Sequence, residues 1–169
     1  MKIYLIGLPG CGKSTLGKQL SRKLNIPFID LDVEIERSMD LPIKDIFKKF
    51  GEPSFRKTET AMLKNISVQR EEFVMATGGG APIFFDNMIF MNNQGRTIFM
   101  DVPAREIADR ISRSNLEERP LLARLAPDEL KDQIEFLRSQ RINFYNQASL
   151  RVEGNSIGVE DVLGKLTSC

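Results

Sequence analysis

The sequence has no histidine, which is both the commonest general base and the commonest zinc ligand in enzymes. Acid–base chemistry in this chain therefore falls to carboxylates, lysine, tyrosine or cysteine. Cysteine is also scarce, because only Cys11, in a glycine-rich turn, and Cys169, the last residue, are present. Two cysteines in these positions predict no disulfide framework, and we expect a reducing, cytoplasmic environment.

Long apolar runs are missing as well. The apolar stretch at residues 3–6 is far shorter than a signal-peptide core and leads directly into a glycine loop. We therefore expect neither secretion nor a membrane partner. Charge of one sign is also missing, since 24 Lys and Arg against 23 Asp and Glu leave a net charge of +1. This balance disfavours nucleic acid as a partner, because such binding needs a basic field.

What is present is the composition of an ordinary globular protein, and 169 residues correspond to about one domain, residues 1–169. Five short apolar runs alternate with segments of helical spacing, and this alternation predicts parallel strands joined by right-handed crossovers. We predict a three-layer α/β fold, in which ligands bind beyond the carboxyl ends of the strands. The predicted strands are residues 2–6, 28–31, 73–76, 97–102 and 150–152, and the predicted helices are 14–24, 43–50, 55–66, 104–111 and 129–148.

The first predicted strand ends in a motif of the form G-x-x-x-x-G-K-S/T, which starts at Gly7 and leads into a helix. Glycines let the backbone N–H groups turn inward, and the helix N-terminus adds a positive dipole, so the loop can hold a triphosphate. Lys13 would reach the β- and γ-phosphates, and the Ser14 hydroxyl would bind Mg²⁺. We expect Cys11 to act as a spacer rather than a nucleophile. The candidate nucleotide-binding residues are Gly10, Cys11, Gly12, Lys13, Ser14 and Thr15.

The phosphate loop does not by itself identify the reaction. The N-K-x-D tetrapeptide with which GTPases read guanine is missing, and so is the L-S-G-G-Q signature of ABC-type ATPases. A small kinase remains, and it needs an acceptor pocket beside the γ-phosphate and a lid that excludes water.

Two carboxylates follow the second predicted strand. Asp30 and Asp32 are two residues apart, so a strand would place them on the same side, facing the phosphates. Asp30 could hold Mg²⁺ through water, and Asp32 could orient an acceptor hydroxyl or accept its proton. The alternative is that Asp32 only caps the following helix.

Charged residues occur where helical spacing calls for apolar ones. Glu59 lies in the stripe of residues 55, 59, 62 and 66, with Arg56 within reach, and Arg141 interrupts the stripe that begins at Leu130. The two arginines could clamp a carboxylate on the acceptor, and the alternative is that their side chains extend to solvent. Gly78, Gly79 and Gly80 would let a ligand approach the backbone, or form only a turn.

A polar segment at residues 115–124 resembles a mobile loop, and five arginines crowd around it. Acidic neighbours favour a solvated face for most of them. Arg119 is the best candidate for an arginine that closes on the transferred phosphate. The five residues are Arg105, Arg110, Arg113, Arg119 and Arg124.

In order and spacing, these motifs together resemble the shikimate kinase family along essentially the whole chain. The resemblance implies a sheet of about five parallel strands in the order 2-3-1-4-5, an acceptor-binding helical segment at about 32–66 and a lid at about 113–124. It also implies transfer of the γ-phosphate of ATP, with Mg²⁺, to the 3-hydroxyl of shikimate in aromatic amino acid biosynthesis. Lys13, Asp32 and Arg119 would be catalytic, and Arg119 would also contact ATP. Shikimate would contact Asp32, Arg56, Gly79 and Arg141, with Gly78 and Gly80 flanking the backbone contact.

The sequence departs from the family at two places. Leu31 stands where the family often has Thr or Ser, and residues 152–156 lack the basic adenine contact that often follows the last strand. Two alternatives stay open: another small-acceptor or nucleoside monophosphate kinase, and a non-catalytic ATP-binding module. We expect a monomer, because no exposed apolar heptad or long edge strand is evident.

Overall fold

The computed structural model describes residues 1–113 and 127–167. Over these residues the chain forms a parallel sheet of five strands in the order β2-β3-β1-β4-β5, with helices packed against it. The predicted α/β fold and strand order are therefore confirmed. The strands are β1 (Lys2–Ile6), β2 (Phe28–Asp30), β3 (Phe73–Ala76), β4 (Arg96–Asp101) and β5 (Leu150–Glu153).

The central strands form where the apolar runs predicted them, because a parallel strand covered by helices buries both of its faces. Every residue of β3 is buried, and in β1 only Lys2 is partly exposed. The differences lie at strand ends. β2 stops at Asp30, and Leu31 already belongs to the next helix.

Seven α-helices connect or follow the strands within the described ranges. The sequence did not identify α2, α4 or α7, which are all nine residues or fewer and give little periodic signal. α6 ends at Tyr145, three residues before its predicted end. The helices are α1 (Lys13–Leu24), α2 (Leu31–Met39), α3 (Ile43–Gln69), α4 (Asn87–Gln94), α5 (Ala104–Arg113), α6 (Pro127–Tyr145) and α7 (Val159–Thr167).

Helix α3 contains both helical segments predicted at 43–50 and 55–66, joined at a kink. Gly51 there has a φ of 78°, a left-handed conformation that glycine adopts without steric cost. The start of α3 is tied to α2, because the backbone N–H of Ile43 donates to the Glu36 side chain at 2.8 Å. After the kink, the second half of α3 carries Phe55, Arg56 and Glu59, which lie beside the glycines that follow β3.

The carboxyl ends of β2, β3 and β1 are neighbours, because Ala76 of β3 pairs with Asp30 on one side and Leu5 on the other. Three loops meet at this edge: the phosphate loop after β1, the turn from β2 into α2, and the glycines after β3. A short 3₁₀ helix, Ala81–Ile83, follows those glycines. Among the described helices, none is both long enough and apolar enough to cross a bilayer.

Candidate active site

A cleft of about 950 Å³ opens at this edge of the sheet. It joins the phosphate loop, the start of α2 and the glycine turn after β3. Most of the nucleotide-binding candidates line it, together with both aspartates. The site residues predicted from the sequence that line this cleft are Gly10, Gly12, Lys13, Ser14, Thr15, Asp30, Asp32, Gly78 and Gly79.

The phosphate loop is closed over the amino group of its own lysine. Lys13 is only 8% exposed, and its Nζ donates to the carbonyl oxygens of Gly7 at 3.0 Å and Leu8 at 2.9 Å. Gly12 has a φ of 100° immediately before α1 begins, so the curled backbone needs glycine at this position. The loop thus places a cation and a helix N-terminus at the same end of the cleft.

Cys11 is the one nucleotide-binding candidate of the loop that does not line the cleft. Its side chain is fully buried, and its backbone N–H donates to the Leu8 carbonyl at 3.2 Å. The thiol also fills the space beside Gly7, where a Cβ would lie 3.1 Å from the sulfur. This position agrees with the expected spacer, and contact between Cys11 and a nucleotide stays a prediction.

Ser14 and Asp30 both line the cleft and form a hydrogen-bonded pair of oxygen groups. The Ser14 hydroxyl donates to Asp30 Oδ2 at 2.6 Å. Within the described ranges, no group of three or more His, Cys, Asp or Glu side chains is placed to hold a metal ion. This pair fits Mg²⁺, which is usually held by one or two protein oxygens together with substrate phosphates and water.

The predicted reason for the placement of Asp32 is wrong. Asp30 ends β2 and occupies the N-cap position of α2 without a capping side-chain bond, whereas Asp32 lies in the first turn of that helix. Strand alternation therefore does not orient the two residues, because the chain turns into the helix between them. Both still line the cleft, and Asp32 is not the cap.

The Asp32 carboxyl lies in an environment that disfavours its charge. Burial raises its pKa, the Asp30 carboxylate adds to the rise, and the Lys13 cation opposes it. A carboxylate with a raised pKa is a better proton acceptor than an exposed one.

A smaller cavity of about 160 Å³ adjoins the cleft and shares Asp32, Gly78 and Gly79 with it. Arg56 and Glu59 line its wall and form an ion pair, Nη1 to Oε2, of 2.8 Å. Glu59 is fully buried, and no described group lies within hydrogen-bond distance of its other oxygen, Oε1. Arg56 is only 8% exposed, so its side chain does not extend to solvent.

The three glycines after β3 are in closest contact with the charged groups of the cavity. A Cβ on Gly78 would lie 2.7 Å from Glu59 Oε1, and one on Gly79 would lie 3.0 Å from Arg141 Nη1. On Gly80 it would lie 2.6 Å from Arg56 Nη2. A side chain at any of the three positions would therefore displace neighbouring groups of the cavity, which for Gly79 include Pro9 at 2.7 Å, and the turn is not an isolated feature.

Arg141 reaches the same cavity from α6, one helical turn before Tyr145. The buried Tyr145 hydroxyl donates to the Gly79 carbonyl at 2.6 Å. Burial raises the pKa of Tyr145 to about 12, although the neighbouring Arg141 opposes the rise, so the hydroxyl keeps its proton. This bond fixes the middle glycine against α6.

Arg110 takes a position that the sequence did not indicate. Its Nη1 donates to the Cys11 carbonyl at 3.0 Å, and its Nη2 donates to the Asn155 carbonyl in the loop after β5. The Arg110 side chain is 32% exposed and also pairs with Glu106 at 2.9 Å, and its two backbone contacts link the phosphate loop to the loop after β5. Helical spacing carries no signal for such a contact. Arg119 and all of the predicted lid except Arg113 lie outside the described residues.

Comparison with known proteins gives one consistent family. The family model described as shikimate kinase matches residues 9–168. A shikimate kinase of Bacteroides fragilis is 44% identical over 149 residues, which cover 88% of this chain and 82% of that protein. The crystal structure of a shikimate kinase from Bacteroides thetaiotaomicron superposes with a TM-score of 0.91 at 38% identity, covering 99% of this chain and 97% of that one. A shikimate kinase from Acinetobacter baumannii, solved in complex with shikimate, has a TM-score of 0.84 at 33% identity, with 99% and 90% covered.

Proposed function

The chain belongs to the shikimate kinase family, and we propose that its cleft holds ATP while the adjoining cavity holds shikimate. The reaction is the ATP-dependent phosphorylation of shikimate, a step of aromatic amino acid biosynthesis. The main support for this proposal is that Asp32 lines both the cleft and the cavity. A group on this shared wall can reach an acceptor hydroxyl and the transferred phosphate together.

In the nucleotide site, Lys13 and the backbone of Gly10 to Thr15 would bind the phosphates. Ser14 would bind Mg²⁺ directly and Asp30 through water, and their 2.6 Å hydrogen bond supports this assignment. Bound Mg²⁺ neutralises phosphate charge in phosphoryl transfer. Arg110, beside the loop after β5, supplies a cation on the side where the sequence left the adenine contact unnamed.

In the acceptor site, Arg56 and Arg141 would bind the carboxylate of shikimate. Guanidinium groups are suited to this task, because their planar donor arrays match a carboxylate with two parallel hydrogen bonds. The Gly79 backbone, flanked by Gly78 and Gly80, would contact the acceptor beside these two arginines. These groups come from the sheet edge, from α6 and from the predicted acceptor segment at 32–66.

For the transfer itself, Asp32 would orient the 3-hydroxyl of shikimate and accept its proton, and its raised pKa suits that role. Lys13 would neutralise charge on the transferred phosphate, and we keep Arg119 of the lid as the second such cation. Rate acceleration then comes mainly from positioning and charge neutralisation.

The test measures ADP release from Mg²⁺-ATP with and without shikimate, for the wild type, Arg141→Ala and the control Arg37→Ala. Arg37 is an exposed arginine of α2 that pairs with Glu34 outside the site. We expect shikimate-dependent turnover, with KM for shikimate raised about tenfold or more in Arg141→Ala only. A folded, ATP-binding protein whose ADP release shikimate does not stimulate would contradict the acceptor assignment.

We further propose that the enzyme is a cytoplasmic monomer built as one domain. The free, buried thiol of Cys11 suits a reducing compartment. Light scattering with size-exclusion chromatography tests the monomer, for which we expect a mass near 19.2 kDa.

A further inference from the structure

Three aromatic rings surround the guanidinium group of Arg56. Its Cζ lies 4.7 Å from the ring centroid of Phe84, 5.0 Å from that of Phe55 and 5.8 Å from that of Phe47. Phe47 and Phe55 belong to α3 and line the acceptor cavity. Phe84 approaches from a different element, the segment after the three glycines, and its ring is the nearest of the three.

We propose that Phe84 is a positioning residue for Arg56, which it holds in the orientation that binds the acceptor carboxylate. The inference rests on the proposed function of the cavity. A guanidinium group is attracted to the face of an aromatic ring, and the attraction is stronger where solvent is excluded, as it is around this buried arginine. Contact with the face of the group leaves the N–H donors at its edges for carboxylates.

The edges of the guanidinium are already partly used in this way. Nη1 donates to Glu59, and both Nε and Nη2 donate to Glu52 at 3.1 Å. These bonds hold two sides of the group but do not prevent it from tilting about them. A ring 4.7 Å from Cζ restricts such tilting, and Phe84 is suited to that purpose.

The backbone beside Phe84 is held in an uncommon conformation. Phe85 and Asp86, the next two residues, have φ values of 51° and 57°. Both values lie in the left-handed region, which residues other than glycine rarely adopt. Two such residues in succession persist only where surrounding contacts hold them.

Asn87 provides those contacts. It is fully buried, its backbone N–H donates to the Phe84 carbonyl at 3.0 Å, and its Nδ2 donates to the Ala81 carbonyl and to Thr60 Oγ1, each at 2.9 Å. Thr60 follows Glu59 directly in α3. The segment that carries Phe84 is thus hydrogen-bonded to α3, the helix that carries Arg56. This bond fixes the position of the Phe84 ring relative to the guanidinium group.

The experiment compares Phe84→Leu with Phe84→Tyr, which keeps the aromatic face, and with Phe85→Leu, which makes the same change in the next, 51% exposed ring. Each variant is assayed with shikimate and with shikimate methyl ester, which lacks the carboxylate charge. For Phe84→Leu we expect KM for shikimate to rise on the order of tenfold, with kcat and KM for ATP within about twofold of wild type. Phe84→Tyr and Phe85→Leu should behave like the wild type.

On the methyl ester, kcat/KM of Phe84→Leu should equal that of the wild type, because the ester gives Arg56 no carboxylate to bind. An equal loss on both acceptors, or a raised KM for ATP, would show that Phe84 only supports the fold and would overturn the inference. If the wild type turns over shikimate and Phe84→Leu has the same kinetics as the wild type, only the role of Phe84 would be overturned. Absence of shikimate turnover in the wild type would overturn the proposed function, and the role of Phe84 with it.

Discussion

Replacing Arg56 with alanine removes the ion-pair partner of a carboxylate that has no solvent exposure. Glu59 accepts its 2.8 Å bond from Arg56, and its other oxygen has no donor among the described groups. Removal of one partner of a buried pair costs about 3–5 kcal/mol, because the remaining charge is left uncompensated. For a chain of this length, about 2–4 °C of Tm corresponds to 1 kcal/mol, so Tm should fall by about 10 °C.

The loss should also depend on pH in a defined direction. Burial raises the pKa of Glu59, and the Arg56 charge opposes that rise. Without Arg56 the pKa rises further, so between the unfolded value of about 4.3 and the raised value the folded variant binds a proton that the unfolded chain does not. The variant should therefore become more stable as pH falls through the raised pKa of Glu59, with a steeper dependence than in the wild type.

Urea unfolding followed by circular dichroism, without substrates, at pH 6, 7 and 8 measures both effects. The control is Arg56→Met with Glu59→Leu, which removes both charges and should recover most of the lost free energy of unfolding. The reasoning would be refuted if the free energy of unfolding of Arg56→Ala lay within about 1 kcal/mol of the wild-type value and did not increase at lower pH. Burying an unpaired carboxylate costs more than that.

Three further changes test the site. Gly80→Ala should raise KM for shikimate about tenfold without changing KM for ATP, because the new Cβ would lie 2.6 Å from Arg56 Nη2. The kinetic control is Gly164→Ala, where an added Cβ would meet no atom within 4 Å. Tyr145→Phe should lower the free energy of unfolding by about 1–3 kcal/mol in urea titrations, since the Gly79 carbonyl loses its donor, and an unchanged value would contradict this. Asp32→Asn should abolish turnover yet raise Tm at pH 7 to 8, because burial raises the pKa of Asp32 and its ionised form opposes folding above the unfolded pKa. The stability of the wild type should rise as pH falls through that raised pKa. A lower Tm in the variant would count against the argument.

The central strands could be predicted because both of their faces are buried, which leaves continuous apolar runs in the sequence. The phosphate loop could be predicted because its requirements are local. The Arg56–Glu59 pair was accessible because a charge at an apolar helical spacing needs a partner. The bounds of α2 were missed because the helix starts directly after β2, so that Leu31 was assigned to the apolar run of the strand.

Other features depend on contacts between distant parts of the chain. Arg110 reaches a carbonyl 99 residues earlier in the sequence, and no periodic pattern in α5 indicates that contact. The placement of Phe84 depends on the left-handed backbone at Phe85 and Asp86. Neither residue is a glycine, so the sequence does not indicate this conformation. Tertiary hydrogen bonds fix such positions, so they become visible only in the folded chain.

The hydrogen bonds from Lys13 to the carbonyls of Gly7 and Leu8 have a consequence for nucleotide affinity. A nucleotide whose phosphates bind Lys13 must first displace these two carbonyls from its ammonium group. The displacement costs free energy and therefore lowers the affinity for the nucleotide. In the proposed nucleotide site, the carbonyls of Gly7 and Leu8 are therefore intramolecular competitors of the phosphates, and they lower the net affinity of the loop for its ligand.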